Sequence, residues 1–266
     1  MNTVILGPCG TTVFVSSVAG FEIQEKHKGQ SVMLNLHGIH LSAAQTGAVL
    51  RMMADAAKET KYRYPWDGLE EEMKANCLTE MTMVGYGSLA NSESARRTLS
   101  EGVLRTFQPA IAFGVRRLFN YEMPADVDRY APAIHPLARA ALNASPTGKI
   151  DDIVNGIVMK LSVTEIPAMR EREVGYDLVP VACLEWNDLE RPPFLAYILC
   201  CFDEPREGKC HTNDKIEPHR GYYSVCRKGA SEFGEEFLRL WLTTTYLADG
   251  VTPVAEWEVN EFPDVT

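Results

Sequence analysis

A chain of 266 residues, 45% of them apolar, is long enough to bury a sizeable core, either as one large domain or as one domain with an extension. Its 26 basic against 36 acidic residues leave a formal net charge of -10, which argues against a surface built to neutralise phosphates, so nucleic acid is not an expected partner. Prolines, glycines or charges interrupt each apolar run well short of a bilayer span, the first residues lack the basic flank of an export signal, and seven cysteines without paired spacing fit reduced thiols. The expectation is a soluble cytoplasmic protein with no membrane contact.

In chain order, residues 1-80 read as an N-terminal extension in which short apolar runs, Val13-Phe14-Val15 and Val32-Met33-Leu34, accompany one helix starting near Ser42, a residue able to cap it, and stopping at Lys58-Glu59. Tyr62 to Gly68 reads as a turn, and Glu70-Glu71-Glu72 opens a second, short helix. From Thr82 strands alternate with helices, as in a mixed α+β or barrel-containing domain spanning 81-250. A strand at Thr82-Met83-Val84 enters a Gly-Tyr-Gly turn, followed by a helix with Ala95, Leu99 and Val103 on one face. Further strands are predicted at Ala110 to Phe119, Ile153 to Leu161, Val179 to Leu184 and Phe194 to Phe202. An amphipathic helix from about Glu232 carries Phe233, Phe237, Leu240 and Trp241, and residues 251-266 form a C-terminal tail.

Two segments carry candidate chemistry. In Val84-Gly85-Tyr86-Gly87-Ser88-Leu89-Ala90-Asn91-Ser92, two glycines let the backbone turn tightly at a strand end and expose amides before a helix capped by Asn91 or Ser92; such a corner suits a carboxylate or a developing oxyanion. On the glycines alone it reads as a tight strand-to-helix turn. In Met169-Arg170-Glu171-Arg172-Glu173-Val174-Gly175-Tyr176-Asp177, a mixed-charge run reads first as a solvated face, but a carboxylate at a helix end beside apolar Val174 and Tyr176 is a candidate for desolvation and proton transfer.

Together and in this order, these segments resemble the γ-glutamylcyclotransferase-like family, with its Tyr-Gly-Ser loop near the start of the domain and an Arg-Glu…Tyr segment later. The resemblance spans roughly Met83 to Thr245 and includes Gly114 to Phe119, Ala141 to Ala144 with Asn155 to Val158, and Tyr222 to Ala230. It implies a small β-barrel or mixed sheet surrounded by helices. It also implies an enzyme that cleaves a γ-glutamyl amide by attack of the substrate's own α-amine on its side-chain carbonyl, releasing 5-oxoproline and an amine. The reaction needs no metal or other cofactor, because one carboxylate can move the proton and ring closure is intramolecular. Carried over position by position, Tyr86, Gly87, Ser88 and Leu89 would hold the glutamyl carboxylate through backbone amides. Glu173 would be the acid/base with Glu171 as the alternative, and Tyr222 would hydrogen-bond substrate or Glu173, or else pack. Ala90-Asn91-Ser92 departs from the tryptophan that the glutathione-specific branch carries shortly after this loop, which weakens that assignment. The extension before Met83 has no counterpart; it is a candidate for shaping the pocket, covering the sheet or mediating homo-oligomer assembly.

Two rival readings stand beside this one. Cys200, Cys201, Cys210 and His211 include zinc-ligand types, but adjacent strand cysteines point to opposite faces and no Cys-x-x-Cys pair occurs. His37 and His40 lack a nearby third ligand and read as ordinary polar residues. The other rival keeps the fold as a non-catalytic module that binds a γ-glutamyl ligand.

Overall fold

The computed structural model describes residues 21–23, 33–58, 63–124, 130, 132–205 and 210–261. The expected strand at Val13-Phe14-Val15 lies outside the described residues. Strands β1 (Phe21–Ile23), β2 (Met33–Leu36) and β3 (Ile39–Ser42) form an antiparallel sheet. The β2–β3 hairpin turns on His37 and Gly38, both at positive φ (53° and 92°), the mirror-type turn that matches strand twist. Helix α1 (Ala43–Lys58) begins where expected, with Ser42 Oγ accepting from the Gln45 amide at 3.2 Å. Helix α2 (Leu69–Ala75) follows Gly68.

The centre of the molecule is a closed barrel. Its strands are β4 (Glu80–Gly85), β5 (Gln108–Phe113), β8 (Ile153–Ser162), β9 (Asp177–Glu185) and β10 (Phe194–Cys200), in the order β10-β4-β8-β5-β9. All neighbours are antiparallel except β4 and β10, which close the barrel in parallel with Tyr197 opposite Met83. A second sheet, β6 (Val115–Glu122) with β7 (Ala140–Pro146) and β11 (Thr245–Leu247), stands beside it. Helices α3 (Ser92–Ala95), α4 (Glu101–Leu104), α5 (Ile166–Arg172), α6 (Arg220–Ser231), α7 (Glu235–Thr244) and α8 (Val254–Glu261) surround these sheets, giving the expected α+β class.

Three sequence expectations are corrected in detail. The strand expected from Ala110 to Phe119 is two strands in different sheets, because Gly114 at φ 80° breaks the run and its carbonyl accepts from the Thr147 and Gly148 amides. The helix expected to carry Ala95, Leu99 and Val103 is broken in two; Ser100 recaps the chain with its Oγ on the Val103 amide, although all three apolar residues are buried on one side as expected. The last amphipathic helix starts at Glu235, because Gly234 at φ 100° separates it from α6. The expected tail contains α8, which buries Val254 and Trp257. Leu36, Ile39, Leu41 and Val49 of the extension share a core cluster with Ile111, Phe113, Ile153 and Leu184 of the barrel strands. Each such burial contributes about 1.5–3 kcal/mol. No helix among the described residues is long and apolar enough to cross a membrane.

Candidate functional site

Strand β4 is buried on both faces at Met83 and Val84 and delivers the chain to a corner at the barrel end. There the Tyr86 side chain turns inward. Its hydroxyl donates to the Leu199 carbonyl at 2.6 Å, and burial pushes the phenol well above its ordinary pKa, so it stays neutral. A short 3₁₀ turn covers Ser88 to Ala90, and Asn91 caps α3, its Oδ1 accepting from the Ser94 amide at 2.9 Å. The amides of Gly87, Ser88 and Leu89 donate to no acceptor among the described residues. Close packing holds this corner from two sides. A Cβ on Gly229 of α6 would stand 2.6 Å from the Asn91 nitrogen, and one on Gly87 would stand 2.5 Å from the Tyr222 hydroxyl. Glycine is therefore required at both positions for close approach rather than for its φ.

Helix α5 ends at a turn through Glu173, Val174 and Gly175, the last at φ 84°. Glu171 lies exposed on the helix, while the Glu173 side chain is 14% exposed and faces the cavity. The immediate neighbour of the Glu173 carboxylate differs from the expected apolar one: Val174 is 59% exposed, and the Arg172 guanidinium donates from Nε to Glu173 Oε1 at 3.0 Å. Arg172 uses its remaining donors on Ser94 O and Thr98 Oγ1 from Nη1, and on Ser88 Oγ and Ser94 Oγ from Nη2, at 3.0–3.1 Å. All five N–H groups are occupied, and one side chain ties the acid to the glycine corner.

Two connected hollows result. A cleft of about 30 Å³ is lined by Tyr86, Gly87, Ser88, Leu89, Glu173 and Tyr222 among others, so the residues singled out in the sequence come together at one place. It shares Ser88, Glu173, Tyr176 and Tyr222 with an outer cavity of about 530 Å³. Tyr222 stands edge-on to Phe119 and Tyr130 at 6.3 and 5.6 Å, and burial beside the Cys226 thiol raises its pKa well above that of an exposed phenol. It packs, with its oxygen over Gly87.

Sequence reasoning passed over Arg172, whose role is hidden in a charged run, and Tyr121, Met123 and Tyr130 of the outer wall. The available signal was Tyr176 of the Arg-Glu-x-Gly-Tyr segment, because its ring stacks on Tyr121 with centroids 4.6 Å apart. Cys200 and Cys201 are buried, the Cys210 Sγ donates to Asp203 Oδ1 at 3.0 Å, and His211 stacks on Tyr121. No group of three or more metal-ligating side chains occurs among the described residues.

No family model matches the chain and no curated protein is similar to it. Among solved structures it is similar to YkqA from Bacillus subtilis at 11% identity, over 83% of this chain and 68% of that one, with a TM-score of 0.46. A γ-glutamyl cyclotransferase is similar at 13% identity over 61% of this chain and 86% of that one, TM-score 0.43. The glutathione-specific γ-glutamyl cyclotransferase from yeast is similar at 15% identity over 62% and 95%, TM-score 0.40. These are likenesses of chain path, too distant to transfer chemistry.

Proposed function

We propose that this protein is a γ-glutamylcyclotransferase-like enzyme in which Glu173 is the general acid/base and the amides of Gly87, Ser88 and Leu89 receive the substrate's α-carboxylate. The observation that carries the reading is the convergence of unpaired amides and a mostly buried carboxylate on one cavity. In the reaction, the α-ammonium gives a proton to Glu173, and the amine attacks the δ-carbonyl of the same molecule. The tetrahedral species collapses as Glu173 returns that proton to the departing nitrogen, and the ring nitrogen gives up its second proton to the released amine, which leaves as an ammonium. The C–N bond to the leaving amine breaks, the ring C–N bond forms, and 5-oxoproline and the ammonium leave with no net change in the enzyme. Holding the glutamyl chain folded recovers a share of the roughly 7–11 kcal/mol available to an oriented intramolecular reaction. Arg172 supports this by fixing Glu173 against Ser88.

The test is 5-oxoproline release from γ-glutamyl amino acids, γ-glutamylamines and glutathione. Glu173→Gln should lower turnover by about 10²–10⁴-fold while the thermal unfolding midpoint holds, because the amide oxygen still accepts from Arg172. Unchanged turnover refutes the role of Glu173. If no γ-glutamyl compound yields 5-oxoproline with the wild type, the non-catalytic binding module is the better reading.

A further inference from the structure

The outer cavity is far larger than the cleft at the glycine corner, and its wall has a distinct chemistry. Tyr121 lies parallel to Tyr176, with centroids 4.6 Å apart and planes 19° apart, and parallel to His211 at 5.7 Å and 4°, so three rings form one stack. The Tyr121 and Tyr176 hydroxyls are committed to the Val174 and Leu142 carbonyls at 2.7 Å, so this wall meets the cavity as ring carbon with its phenol protons already used. Tyr130 and Val174 also line the cavity, and Val174 is 59% exposed. Arg172 is the one Lys or Arg among the described lining residues, and its five donors are all taken. Among the described lining residues a leaving group ending in a carboxylate therefore finds no free guanidinium fork, whereas a flat apolar ring meets aromatic walls and an exposed valine to cover.

We infer that this cavity is a subsite for an aromatic ring, so that the amine released carries an aryl group; the assignment of that ring to a leaving amine rests on the cyclotransferase reading above. The experiment compares γ-glutamyl-phenethylamide with γ-glutamyl-ethylamide. The kcat/KM for 5-oxoproline release should favour the phenethylamide by about 10- to 100-fold, and equal values would overturn the subsite. Calorimetry of the same two compounds with Glu173→Gln measures binding without turnover. Tighter binding of the phenethylamide upholds the aromatic subsite even if nothing yields 5-oxoproline, a result that would sink the cyclotransferase reading alone, whereas equal affinities overturn the subsite. Val174→Asp changes an exposed side chain and should bring the affinity ratio towards one; an unaltered ratio would remove the ring from this cavity.

Discussion

Arg117 and Arg172 each lodge a guanidinium away from solvent, in surroundings that differ in one respect. Arg117, fully buried on β6, donates to Thr245 Oγ1 at 2.7 Å, to Asn155 O at 2.6 Å and to Asn155 Oδ1 at 2.9 Å, and lies over the Trp241 ring at 5.1 Å. These partners are neutral, and burial pulls its pKa down to about 9, still charged at neutral pH. Arg172 satisfies all five of its donors, and one acceptor is the Glu173 carboxylate on a cavity wall. The first arginine clamps the β6 sheet to β8 and to the end of α7, and its charge is spent on architecture. The second holds an acid and a backbone corner in one frame, so its loss should be read in chemistry more than in stability.

Three substitutions can break or sharpen that contrast. Arg117→Met strands the acceptors around a buried site and should cost about 3–5 kcal/mol in urea unfolding; a loss no greater than that of an Arg172 variant would end the distinction. Arg172→Lys keeps the charge but lacks the planar fork that reaches Glu173, Ser88 and Ser94 together, so 5-oxoproline turnover should fall about 100-fold. The stability change in that variant should stay at roughly 1–2 kcal/mol. A purely structural Arg172 would lower the melting temperature and leave kcat alone. Gly87→Ala drives a methyl towards the Tyr222 hydroxyl and should cost about 1–3 kcal/mol. In a Tyr222→Phe background much of that cost should return; a full penalty there would mean the methyl meets something else.

The fold class was legible because its strands are long apolar runs and its helices carry caps that act locally, Ser42 and Asn91 among them. What failed were joints. Gly114 and Gly234 each looked like an interior residue of one element, and only the direction of the chain on either side makes them breaks. At the site, the glycine corner could be read from Gly85 and Gly87, while Arg172 could not, because its partners Ser88, Ser94 and Thr98 lie 74–84 residues earlier in the chain. The aromatic wall was hidden for the same reason. Tyr121, Tyr176 and His211 come from three segments, and a ring stack leaves no local spacing to find.

The hydroxyl of Tyr86 reaches Leu199, 113 residues further along, across the parallel seam where β4 meets β10. A seam between such distant segments is among the slower contacts to form, since the intervening chain must be ordered first. The glycine corner hangs from the early strand of that seam, and Glu173 and Tyr222 reach it from either side of the late one. A chain that has not yet supplied β10 and α6 can therefore hold neither cleft nor acid in register. On the proposed function, activity on refolding should return together with barrel closure, so its recovery would time the closing of that seam.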